Sequence, residues 1–209
     1  MPPPAPLRAV LGFTGLYLAA AIAGAIACGN REFILYIGVM LVLIPSLYAV
    51  HRRYPLSPGL LWTFSAWGLL HMAGGLVPIP QSWFRQGPHS VLYSWWLIPH
   101  LLKYDQITHA YGFGITAWLC WHVVRSALRS PDGGPVRPTP GILTLCVAAS
   151  MGFGAFNEVV EFIATLLLPN TNVGDYANTG WDLVSNFLGA LLAVLLIRRS
   201  APSSSPAIP

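Results

Sequence analysis

Six stretches of about 20 residues, each carrying few or no charges, dominate this chain, and that length is what an α-helix needs to cross a bilayer's hydrocarbon. They run roughly over 9–28, 33–51, 60–79, 105–127, 141–168 and 180–197. The balance of the 209 residues agrees, with 55% hydrophobic and 9% charged. A soluble domain carries about 25% charged residues, so this chain lacks the means to cover itself in water. The expectation is an all-α polytopic membrane bundle over residues 9–197, with short disordered tails at 1–8 and 198–209. The fifth stretch is long enough to tilt or to extend past the hydrocarbon. No length remains for a second domain.

Charge sets the orientation. With the N-terminus inside, the cytoplasmic side holds Arg8, Arg52, Arg53, Arg125, Arg129, Arg137, Arg198 and Arg199, and the outer side holds Arg31, Arg85 and Lys103. Eight against three predicts both termini in the cytoplasm and a multi-pass protein of the cell's inner membrane. The net charge of +4 is spread over loops with no basic face, which argues against nucleic acid as a partner. Cys28, Cys120 and Cys146 have no metal spacing and read as small buried apolar residues. AIAC, ending at Cys28, resembles a weak lipoprotein cleavage box, but the run before it is long for a signal peptide, and an uncleaved first helix is expected.

Residues 80–104, PQSWFRQGPHSVLYSWWLIPHLLKY, differ from the other connections. Trp83, Phe84, Tyr93, Trp95 and Trp96 suit a membrane interface, and prolines at 78, 80, 88 and 99 forbid one continuous helix. An interfacial or re-entrant element on the outer surface is predicted, serving as an anchor or as a lid.

The predicted topology brings the intramembrane polar residues to one depth, the outer half. At about 100° per residue, Asp105, Thr108, His109 and Gly112 form one stripe, and Asp182, Ser185, Asn186 and Gly189 another. Glu158 and Glu161 lie about 60° apart on the fifth helix, with Gly154 and Thr165 on the same face. An ionised group at a helix centre costs roughly 2.5–3.5 kcal/mol on insertion scales, so the three stripes should face one another rather than lipid. Small residues on them permit close approach. Only His109 and His71 in the spans offset four carboxylates, which implies a shared proton or a bound cation. The motif D-x-x-[TS]-[HN]-x-x-G occurs at 105–112 and 182–189, through duplication or through a common inward-facing need.

DQITHAYGFG, the later Glu-x-x-Glu and GDYANTGWDLVSNFLGALLA together resemble the YjdF-like bacterial inner-membrane proteins. More distantly they resemble the VanZ-like superfamily, with its Asp…His helix, Glu helix and final Asp-x-x-x-Asn-x-x-Gly helix. VanZ-like helices often carry Glu-x-x-Gln, whereas Glu161 stands second here, which favours the YjdF-like side. The resemblance covers roughly residues 100–197 and implies that Asp105, His109, Glu158, Glu161, Asp182 and Asn186 occupy the family's polar positions. It implies no reaction.

Three functions fit these residues. In the first, a divalent cation held by Asp105, His109, Glu158, Glu161 and Asp182 serves hydrolysis of a lipid or lipid-linked substrate, with Glu158, Glu161 and His109 as acid and base. Asn186, Thr108, Ser185 and His71 would support them. In the second, the polar residues form a structural interhelical network, in a protein that binds a partner. The third is a proton- or ion-coupled transporter, against which the inner halves of the last three spans are apolar except for His122. His71 reads more simply as a packed interhelical donor, His122 and Trp181 as interfacial, and His51, His89 and His100 as solvated. Asp175 reads as a loop acid, or as a ligand from above.

Overall fold

A computed structural model describes residues 5–87, 89–131 and 133–200. Six helices carry the fold: α1 (Ala5–Ala27), α2 (Arg31–Arg53), α3 (Pro58–Leu76), α4 (Tyr104–Ala127), α5 (Pro140–Leu167) and α6 (Tyr176–Arg199). The all-α membrane bundle therefore holds. Among the described residues, α1, α2, α5 and α6 are long and apolar enough to cross a membrane. α3 and α4 fall outside that set; they carry His71, Asp105, His109 and four tryptophans between them.

The helix ends follow local chemistry. α1 stops where Gly29 takes φ 63°, and the Cys28, Gly29 and Asn30 amides fold back on carbonyls of its last turns. Asn30 then caps α2 through Phe33 N at 3.1 Å. Ser57 and Thr139 cap α3 and α5, each followed by Pro at the first helical position, where the missing N–H costs nothing. α1 begins at Ala5 and α6 runs to Arg199, so both enter the tails expected at 1–8 and 198–209. Residues 1–4 and 201–209 of those tails lie outside the described residues.

α4 and α6 form the most extensive helix pair. A Cβ on Gly189 would fall on the Ala110 carbonyl, and one on Gly114 would lie 3.1 Å from Gly189 O, so glycine permits the backbones to touch. α5 joins them through the Ser150 hydroxyl, donating to Phe113 O at 2.6 Å. Tyr104 and Tyr111 hydroxyls donate to Leu70 O and Thr63 O, tying α4 to α3. Apolar packing gathers in three clusters, around Phe33 and Met72, around Ala117 and Ala190, and around Val10 and Leu60.

Residues 77–87 and 89–103 form a folded cap. Pro78 bridges Val91, a short 3-10 turn spans Leu92–Ser94, and β1 (Trp96–Ile98) pairs antiparallel with β2 (Leu102–Lys103). The cap is fastened to α3 by a hydrogen bond between the Tyr93 hydroxyl and His71 Nδ1, with the Tyr93 ring seated over Gly74. Burial pushes the Tyr93 phenol well above its usual range, so it stays neutral.

Candidate functional site

The centre forms where the start of α4, the second half of α5 and the start of α6 converge beneath the cap. Lys103 ends β2 and caps α4, its amide donating to Gln106 Oε1 at 2.9 Å. Asp105 and His109 follow one helical turn apart. Asp175 caps α6 through Asn178 N at 2.9 Å, and this sets Asn178 one turn above Asp182. Gly154 leaves room for Asn186: a Cβ there would lie 2.6 Å from its Nδ2.

His109 stands in the middle, buried. Its Nδ1 lies 3.0 Å from Asn186 Oδ1 and 3.9 Å from Glu158 Oε1, and its Nε2 lies 3.7 Å from Asp105 Oδ1. Asn186 Oδ1 is an acceptor, so this contact places a proton on Nδ1. Lys103 Nζ is 3.1 Å from Asp105 Oδ2 and donates to Asn178 Oδ1. Asn178 Nδ2 donates to Asp182 Oδ2 at 2.6 Å, and Asn157 Nδ2 donates to Glu161 Oε1 at 2.9 Å. Among the described residues, Asp182 Oδ1, both Glu158 oxygens and Asn186 Nδ2 are buried without a protein partner. Asp182 is 1% exposed and Asn186 0%.

Ligand atoms of Asp105, His109 and Asp182 lie within 4.8 Å of one another, as do those of His109, Glu158 and Glu161. Two three-residue sets thus share one imidazole. Buried carboxylate oxygens facing no donor are costly alone and suit a cation. Carboxylate with imidazole suits Mg²⁺, Mn²⁺, Fe²⁺ or Zn²⁺.

The structure brings Asp105, His109, Glu158, Glu161, Asp182 and Asn186 together. Thr108 and Ser185 are buried but donate to their own helix, to Tyr104 O at 3.2 Å and Trp181 O at 2.8 Å, a bond any hydroxyl can make within its own turn. They contribute no hydrogen to the centre. Thr165 is exposed and donates to Phe162 O, and Gly112 faces the Trp67 ring. His71 sits among Phe33, Tyr36 and Tyr93, outside both three-residue sets, as a packed partner of the cap. His51 Nδ1 accepts from Leu56 N at 3.1 Å and pins the α2–α3 turn rather than standing in solvent. Asp175 is the α6 cap rather than a ligand from above. His89, His100 and Trp181 are exposed.

Lys103, Asn178 and Asn157, which the predicted acidic stripes leave out, also belong to the centre. Lys103 is 7% exposed, although its position counts it among the outer-side charges, and it supplies a cation absent from the spans. Asn157 and Asn178 each stand four residues before an acid, Glu161 and Asp182, a helical-neighbour spacing that marks them.

A family model described as Predicted membrane protein (DUF2238) matches residues 9–202. No curated protein and no solved structure matches.

Proposed function

The chain belongs to the DUF2238 family of predicted membrane proteins, and from that premise we propose a six-span inner-membrane protein whose acidic–histidine centre binds a divalent cation and hydrolyses a lipid or lipid-linked substrate. The YjdF-like resemblance of residues 100–197 suits that placement. Helix lengths support six spans: α3 has 19 residues and α4 has 24, or roughly 28 and 36 Å at 1.5 Å per residue. The arginine bias supports termini inside and the centre in the outer half.

The observation that carries this reading is the set of buried oxygens on Glu158 and Asp182 with no protein donor in hydrogen-bonding geometry within 3.5 Å, arranged around His109. A purely structural network would leave fewer acceptors orphaned, because each costs free energy in a low dielectric. A bound divalent cation supplies Lewis acidity toward a phosphoryl or carbonyl oxygen and makes a nearby water more acidic. Asp105, Asp182 and one oxygen of Glu158 would hold such an ion. Lys103 orients Asp105, and Asn178 orients the other oxygen of Asp182, which leaves Oδ1 free. The second oxygen of Glu158 would accept the water's proton, and His109 would donate a proton to the leaving group. Asn186 Nδ2 is the donor left for developing oxyanion charge.

Metal analysis of the purified chain is the test. Near one equivalent of divalent metal per chain is expected, and it should be lost in Glu158→Gln and Asp182→Asn while helicity and monodispersity persist. Metal-free wild-type protein, together with a fall in melting temperature in those same variants, would favour the structural alternative. Lys103 and Asn178 give that alternative its specific support, since they already link β2, α4 and α6. Transport is less well supported, because the cavity running inward from Glu161 is walled mainly by apolar side chains.

A further inference from the structure

A cavity of about 380 Å³ lies between α1, α2, α3 and α5, walled on the remaining side by Phe113, Thr116 and Leu119 of α4. Small-molecule sites occupy roughly 300–1,000 Å³. One end is polar, bordered by Tyr36, His71, Asn157 and Glu161. Glu161 belongs to the acidic centre, so the cavity and the centre meet there. Away from that end the walls are mostly apolar and reach Leu7 and Val50 near the opposite face. From Leu61 to His71 along α3 the length is about 15 Å at 1.5 Å per residue, the depth of one leaflet in a hydrocarbon core of about 30 Å.

The way in is sideways. Above the centre, Tyr93 closes on His71, Asn30 Nδ2 donates to Gly75 O, and Glu32 accepts from the Asn172 amide at 2.9 Å. These contacts stitch the cap, the start of α2 and the α5–α6 loop across the outer end. On the flank, α2 buries no residue beyond Ile37. Leu43 of α2 and Phe153 and Phe156 of α5 line the cavity and yet are 41%, 58% and 56% exposed, so the cavity opens to the surrounding hydrocarbon between α2 and α5. An apolar space open at that depth fills with what surrounds it. Away from the polar end most of the lining is aliphatic or aromatic, and the Thr14 and Ser65 hydroxyls are already hydrogen-bonded to each other, so most of the space offers water few partners.

We infer that this cavity holds one acyl chain of a membrane phospholipid, admitted between α2 and α5, with the chain's polar end directed to Tyr36, His71, Asn157 and Glu161. The inference names the substrate class for the hydrolase reading and rests on that reading only for the chemistry at the polar end. Binding of the chain needs no metal.

The test uses full-length protein in nanodiscs containing phosphatidylethanolamine with a photoactivatable diazirine on one acyl chain. Crosslinked peptides are mapped by mass spectrometry. Thr14 and Ser65 line the cavity and are only 8% and 5% exposed, hydrogen-bonded to each other at 2.7 Å, so lipid on the outside of the bundle does not reach them. Crosslinks on the peptides carrying them are expected. Ile44→Trp, and independently Val160→Trp, should lower that yield at least fivefold while crosslinks on the exposed Leu188 and Leu192 of α6 stay constant, with folding checked by thermal melting. Crosslinks confined to outward-facing positions, or a Thr14–Ser65 yield unmoved by both folded variants, would overturn the proposal. Glu158→Gln separates the two readings. Cavity crosslinking should persist in that metal-free variant; crosslinking in a wild-type chain that carries no metal removes the hydrolase reading alone, and metal in the wild-type chain without cavity crosslinking removes the acyl-chain proposal alone.

Discussion

The capped end of the bundle and the flank of α2 are built by opposite rules. At the capped end, Asp105, His109, Asp182 and Asn186 are enclosed by three helices and a cap, and the α4 and α6 backbones meet at Gly189. Along α2, only Glu32, Phe33, Tyr36 and Ile37 are buried, and the helix then stands away, with Leu41 and Val42 facing outward and Leu43 at the mouth of the cavity. Lipid explains the contrast. An apolar side chain gains little by leaving lipid for protein, so close packing in a membrane comes from shape and from polar groups that lipid cannot satisfy. Where the chain is polar it is dense, and where it is apolar it can open.

The largest test of that contrast sets Phe33 against Leu43. Phe33 is 2% exposed and its ring occupies the space over Gly75. Phe33→Ala should cost about 3 kcal/mol through lost contacts, read by thermal or chemical unfolding in a fixed detergent. Leu43→Ala should cost under about 0.5 kcal/mol, as for an exposed position. Equal losses would break the comparison.

Lys103→Met should come next, at about 3 kcal/mol, because it strands Asp105 beside a buried carboxylate set. Adding Asp105→Asn should recover most of the loss, a coupling measurable in a double-mutant cycle. Gly189→Ala presses a methyl group onto the Ala110 carbonyl and should cost about 2 kcal/mol, whereas Gly38→Ala, with nothing within 4 Å of a Cβ, should leave melting unchanged or slightly raised. Among the substitutions within the centre, Gly154→Ala is expected to cost the least stability, about 1 kcal/mol. It displaces Asn186 from His109, so metal content should fall more than stability does, and a variant that keeps its metal would argue that Asn186 plays no part in ordering the centre.

Much of this was legible along the chain. The uncharged runs locate the helices to within a few residues, and Ser57-Pro58 and Thr139-Pro140 mark where α3 and α5 start. Periodicity placed Asp105 with His109, and Asp182 with Asn186, on inward faces, because a charged stripe has nowhere else to go in hydrocarbon. The same periodicity grouped Thr108, Ser185 and Thr165 with them, and there it misled. A stripe records angle about the helix axis, whereas a hydroxyl can turn to its own carbonyl one turn back. The cap was harder still, since its prolines and tryptophans exclude a single helix without specifying the pairing of β1 with β2.

Hydropathy and charge alone determined that these residues form helices for a bilayer, with acidic faces turned inward, since both are properties of residues near in sequence. The partners of those acidic faces came only from the assembled fold. His109 meets Asn186 across 77 residues and Lys103 meets Asn178 across 75, separations no local pattern encodes. Which carboxylate oxygens are satisfied and which stand open depends on those meetings, because hydrogen bonding is decided by distance in space.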